Sequence, residues 1–83
     1  MKRKKTNQAL GELEGEIMEI IWQLESVSVR QVFNRLKKKR KIAYTTVMTV
    51  MSRLAEKMIL KRQLDEAGAY IYTPIQDKET FFA

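Results

Sequence analysis

Residues 43–60 read AYTTVMTVMSRLAEKMIL. Val47, Val50, Met51, Leu54 and Met58 recur at helical spacing, so the stretch predicts a helix with one apolar stripe. Its first turns nevertheless hold Thr45, Thr46, Val47, Thr49 and Val50. β-Branched residues lose χ1 freedom in a helix and cost about a few tenths of a kcal/mol each relative to Ala. The face opposite the stripe carries Thr45, Met48, Thr49, Ser52, Arg53 and Glu56. Apart from the last two it is uncharged and rich in hydroxyls. A helix facing only water is usually lined with Glu, Lys and Gln. A helix that enters a groove needs short side chains for close approach, hydroxyls for phosphates and base edges, and methyl groups for the thymine methyl.

The rest of the chain supports a small helical domain around this element. Eighty-three residues suffice for one such domain. Leu10, Leu13, Ile17, Ile20, Ile21 and Leu24 mark a first helix over 12–24, widened by Met18 and Trp22. Trp22 sits among glutamates that repel a phosphate backbone, so it is expected to pack in the core. Ser28 with Gln31 three residues on forms a capping box, opening a second helix over 29–38. Its apolar stripe is Val29, Val32, Phe33 and Leu36. Residues 60–64 and 69–73 alternate around a four-residue tip, Asp65, Glu66, Ala67 and Gly68, as in a β-hairpin closed by Pro74. Tyr70 and Tyr72 fall on one face of it. The predicted class is mainly α with a small β-hairpin: a winged helix-turn-helix of three helices and a two-stranded wing.

Charge is segregated along the chain. Residues 10–26 hold five acids and no base, whereas 28–62 hold eleven bases and one acid, Glu56, within a net charge of +6. That pattern gives one positive side, the footprint of a polyanion binder. Cations at the end of the second helix suit its dipole, but the run 37–41 exceeds that need and is read as partly functional. The chain has no cysteine and no histidine, so neither a disulfide framework nor the commonest metal ligand and general base is present. No cofactor, metal or catalytic activity is expected. No apolar run approaches a membrane span, and a cytoplasmic location is expected.

"LGELEGEIMEIIW", "SVRQVFNRL", "IAYTTVMTVMSRLAEK" and "YIYTP" follow one another at the spacing of the penicillinase-repressor (BlaI/MecI/CopY) family. The resemblance covers residues 10–82. It implies a winged-helix repressor that binds pseudo-palindromic operator DNA as a homodimer and controls antibiotic-resistance or copper-export genes. It also implies a recognition helix over 44–57, in which Tyr44, Thr45, Thr46, Met48, Thr49 and Ser52 serve DNA binding and Arg53 meets a phosphate. Lys61 and Arg62 are carried over onto the wing strand. Domain limits follow: a basic arm over 1–9, the winged-helix domain over 10–75, and the start of a C-terminal dimerisation region over 76–83, with Asp77 as a helix cap. The 83 residues alone are expected to be monomeric, with Phe81 and Phe82 in a short frayed segment.

The sequence departs from the family in two places. Met58 stands where the family usually has Gly or Asn in left-handed geometry, so a different turn into the wing is expected. The wing tip is acidic rather than basic, so no phosphate contact is expected there. Two other readings of the residues are an RNA-binding module and a protein-interaction module docking through the acidic first helix. Single-strand readers usually present exposed aromatics on a basic sheet, and here only Tyr70 and Tyr72 could serve.

Overall fold

The structure is a computed structural model and describes residues 10–83; the basic arm over 1–9 lies outside the described residues. The elements run α1 (Glu12–Leu24), α2 (Val29–Leu36), α3 (Tyr44–Glu56), β1 (Leu60–Leu64), β2 (Tyr70–Pro74) and a single turn, α4 (Lys78–Phe81). Strands β1 and β2 pair antiparallel from Leu60↔Pro74 to Leu64↔Tyr70 and form the wing. This is the expected winged helix-turn-helix order.

The core lies where α1, α2, α3 and the base of the wing converge. Ile17, Met18 and Ile21 of α1, Val32 and Leu36 of α2, and Val47, Met51 and Leu54 of α3 are all fully buried. Burying one such side chain is worth about 1.5–3 kcal/mol. Three of them on α3 outweigh its threonines' propensity cost of about a few tenths of a kcal/mol each. Packing therefore holds α3 helical and leaves its other face free to vary. Trp22 joins an aromatic cluster at the edge of the core, as expected, and its Nε1 donates to the Gln76 carbonyl at 2.9 Å.

Both predicted helix starts can be compared directly. Ser28 and Gln31 form the capping box: Gln31 N–H donates to Ser28 Oγ at 3.2 Å, and Ser28 N–H to Gln31 Oε1 at 2.8 Å. At α1 the N-cap is Gly11, which has no side chain to accept, so only the return bond forms, Gly11 N–H to Glu14 Oε1 at 2.9 Å. Helix α2 stops two residues short of expectation. Lys39 N–H turns back to Leu36 O, so the chain tightens after Leu36 rather than continuing to 38.

The turn into the wing corrects an expectation. Met58 has φ +66°, the left-handed geometry that Gly or Asn usually supplies. Ile59 N–H donates to Leu54 O at 2.9 Å and Met58 N–H to Ala55 O at 3.0 Å. That pair of bonds is a Schellman motif, here built on methionine. Met58 lies outside α3 and is 72% exposed, so it does not extend the helix's apolar stripe.

Three long-range features were not expected. Val27 and Tyr72 exchange both backbone bonds, at 3.0 and 2.7 Å, which ties the α1–α2 connection to the wing. Tyr72 is buried while Tyr70, on the same face but further toward the tip, is about half exposed. Phe81 is buried rather than frayed: its ring lies 5.5 Å from Trp22, and Phe82 lies 5.7 Å from the same indole. Asp77 caps α4 as expected, accepting from Thr80 N–H at 2.8 Å. That hydrogen bond holds its carboxyl below the usual carboxylate range.

Candidate nucleic-acid interface

The exposed face of α3 carries the predicted residues, and the structure divides them between two depressions. Tyr44, Met48, Thr49, Ser52 and Arg53 line an open groove of about 840 Å³ together with Arg62 and Tyr70 of the wing and Arg30 of α2. Thr45 and Thr46 line a shallower depression with Thr49, Val50 and Arg53. Thr49 and Arg53 are common to both, so they form the crest of the helix. A protruding helix with short hydroxylated side chains and a hollow on each side has the shape a duplex groove requires. At its N-terminus Ala43 offers no side-chain cap, which leaves first-turn N–H groups open to an acceptor.

Lys61 falls elsewhere. Its depression, with Ala55, Met58 and Ile75, adjoins that groove and shares Ser52, Glu56 and Arg62 with it. Arg62 faces α3. Its guanidinium carbon lies 4.5 Å from the Tyr70 ring centre. Its pKa is raised, chiefly by interaction with the Tyr72 side chain.

The basic run is only partly free. Arg40 Nη1 is 2.7 Å from Glu16 Oε1, and this partner raises its pKa. Lys37 lies over the Phe33 ring at 5.3 Å, a contact that restrains the side chain without cancelling its charge. Two further bases are tied to α1, Lys57 to Glu14 at 3.0 Å and Lys78 to Glu19 at 2.6 Å. The Gly11 N–H and then Lys57 hold the Glu14 carboxyl below its usual range. Asp65 at the wing tip accepts from the N–H groups of Ala67 and Ala69, both at 2.9 Å, so this acid shapes the turn.

Sequence reasoning overlooked Arg30. It stands in the first turn of α2, where the helix dipole disfavours a cation, and that mismatch was the available signal. Its guanidinium carbon lies 5.3 Å from the Tyr44 ring centre.

The family model described as penicillinase repressor matches residues 10–83, the whole of the described chain. The chain belongs to the penicillinase repressor family. It is 40% identical over 75 residues to the transcriptional regulator BlaI of Mycobacterium tuberculosis H37Rv, covering 89% of this chain and 54% of that one. Against the penicillinase repressor of Staphylococcus aureus the identity is 33% over 60 residues, covering 72% and 47%. Its fold is similar to the solution structure of the DNA binding domain of the repressor BlaI, with a TM-score of 0.74 and 28% identity, covering 94% of this chain and 90% of that one. The chain spans about half the length of the curated relatives it matches.

Proposed function

We propose that this chain is the duplex-DNA-reading part of a transcriptional repressor, with α3 as the recognition helix in the major groove. The observation that carries this reading is the exposed face of α3, a hydroxyl-rich crest flanked by two hollows and edged by arginines. Thr45, Thr46, Met48 and Thr49 contact base edges and the thymine methyl, Arg53 contacts a phosphate, and Ser52 closes the polar face. Lys61, in the adjoining depression that shares Ser52, Glu56 and Arg62 with this groove, serves as a flanking phosphate contact. The protein acts in the cytoplasm on a pseudo-palindromic operator as a homodimer through a C-terminal region, with two copies of α3 held about 34 Å apart. No helix among the described residues is long and apolar enough to cross a membrane. Regulation of resistance or copper-export genes belongs to the same proposal.

A gel-shift comparison tests it. Duplex DNA of mixed sequence should bind with a steep salt dependence, single-stranded DNA and structured RNA much more weakly. Selection from a random duplex pool should return a repeated half-site. Preference for RNA or single strands would overturn the reading.

A further inference from the structure

Two arginines of the α3–wing groove are held in the same unusual way. Arg30, from the first turn of α2, rests over the Tyr44 ring at 5.3 Å. Arg62, from β1, rests over the Tyr70 ring at 4.5 Å. All four residues line one open groove, with α2 contributing one pair member and the wing the other pair. Neither arginine is among the ion-paired bases of the described residues, which are Arg40, Lys57 and Lys78. Glu56 is the one acid of the lining, against Arg30, Arg53 and Arg62.

A ring and a carboxylate restrain an arginine with different consequences. A carboxylate occupies the N–H edge and cancels the charge. An aromatic ring occupies the flat face, leaving the five in-plane N–H donors and the charge available. It also removes side-chain freedom before any ligand arrives, so less is lost on binding. An anion entering this groove meets two ring-restrained guanidinium groups, Arg30 from α2 and Arg62 from β1, of which Arg62 also interacts with the Tyr72 side chain. The planar fork matches the oxygens of a phosphodiester.

We infer that Arg30 and Arg62 form a two-sided clamp on one phosphodiester strand of duplex DNA, and that Tyr44 and Tyr70 are its positioning residues. This rests on the DNA-binding reading above. It changes the role of Tyr44, which acts through Arg30 rather than on the DNA itself.

The test uses the 83-residue chain and a mixed-sequence 30-base-pair duplex, because phosphate contacts are independent of sequence. Arg30→Ala should weaken binding about tenfold, the lower end for a hydrogen bond to a charged group. It should also lower the log K against log salt slope by about 0.9. Tyr44→Phe keeps the ring and should retain full affinity. Tyr44→Leu should reproduce most of the Arg30→Ala loss, yet add little when made in the Arg30→Ala background. Without DNA, the Arg30 side-chain protons should show an upfield ring-current shift that Tyr44→Phe preserves and Tyr44→Leu abolishes. Tyr70→Leu and Arg62→Ala give the same comparison on the half-exposed wing, where folding is not at stake.

Equal cost of Tyr44→Leu with and without Arg30 would overturn the inference, since the tyrosine would then touch DNA directly. An unchanged salt slope in Arg30→Ala would overturn it too. Failure of the unaltered chain to bind the duplex would instead refute the DNA-binding reading, and the clamp with it.

Discussion

Along α1, cations meet carboxylates: Lys57 on Glu14, Arg40 on Glu16 and Lys78 on Glu19. Across the molecule, beside α3, Arg30 and Arg62 meet tyrosine rings instead. The first arrangement joins elements: it fastens the end of α3, the α2–α3 loop and α4 to the first helix, and it spends positive charge. The second arrangement orients charge without spending it. The net charge of +6 therefore overstates one flank and understates the other. A base is available to a polyanion according to what restrains it, not according to whether it lies in a basic run.

The sharpest way to break this contrast is to remove both groove arginines. Arg30→Ala with Arg62→Ala should weaken duplex binding by about 100-fold, at about 1.4 kcal/mol for each lost charged contact. The melting temperature should hardly move. A loss in stability with unchanged binding would reverse the assignment of the two flanks.

The complementary change is Glu14→Gln, Glu16→Gln and Glu19→Gln together. Exposed ion pairs are worth about 0.2–1 kcal/mol each, so the three should cost on the order of 1 kcal/mol in a denaturant melt. Binding should stay equal or become slightly tighter, because Arg40, Lys57 and Lys78 are released.

Met58→Gly belongs to neither flank and serves as a control. A left-handed residue with a Cβ costs roughly 1–2 kcal/mol, and glycine returns part of that in unfolded-state entropy. Stability should rise by about 0.5–1 kcal/mol with no change in DNA binding. No gain would mean that the Schellman turn carries no strain at this position.

The smallest expected effect is on pH. The Glu14 carboxyl is held below its ordinary value of 4.5, so its ionised form is favoured more in the folded chain than in the unfolded one. Its contribution is present above pH 4.5 and fades as the pH falls through the lowered folded value. Glu14→Gln should flatten that part of an acid titration followed by circular dichroism.

Much of the fold was legible because periodicity reports on each element's own faces. The stripe of Ile17, Ile20 and Ile21 gave a helix over 12–24, as observed. That of Val47, Met51 and Leu54 located α3, although the periodic stretch 43–60 ran past its end at Glu56 by counting Met58. The alternation over 60–64 gave the first wing strand. What stayed hidden depends on residues distant in the chain. One apolar residue, Val27, is too short a signal to announce its bridge to Tyr72. Phe81 looks like a loose end until Trp22 is placed beside it. The candidate site divides in the same way. The hydroxyl face of α3 could be read from spacing, whereas Arg30 on Tyr44 joins two helices and has no local pattern. The charge runs do not show that Arg40 pairs with Glu16, 24 residues earlier.

An amide-resolved NMR titration of the ¹⁵N-labelled chain with a mixed-sequence duplex tests the central claim most directly, since it views both flanks at once. The account predicts perturbations at Ser28 to Arg30, along Tyr44 to Arg53, and at Arg62 and Tyr70, all fading as salt is raised. The outer face of α1, around Glu12, Glu16 and Glu19, should stay unmoved. Perturbations centred on that glutamate face or on α4, with the α3–wing groove silent, would contradict it.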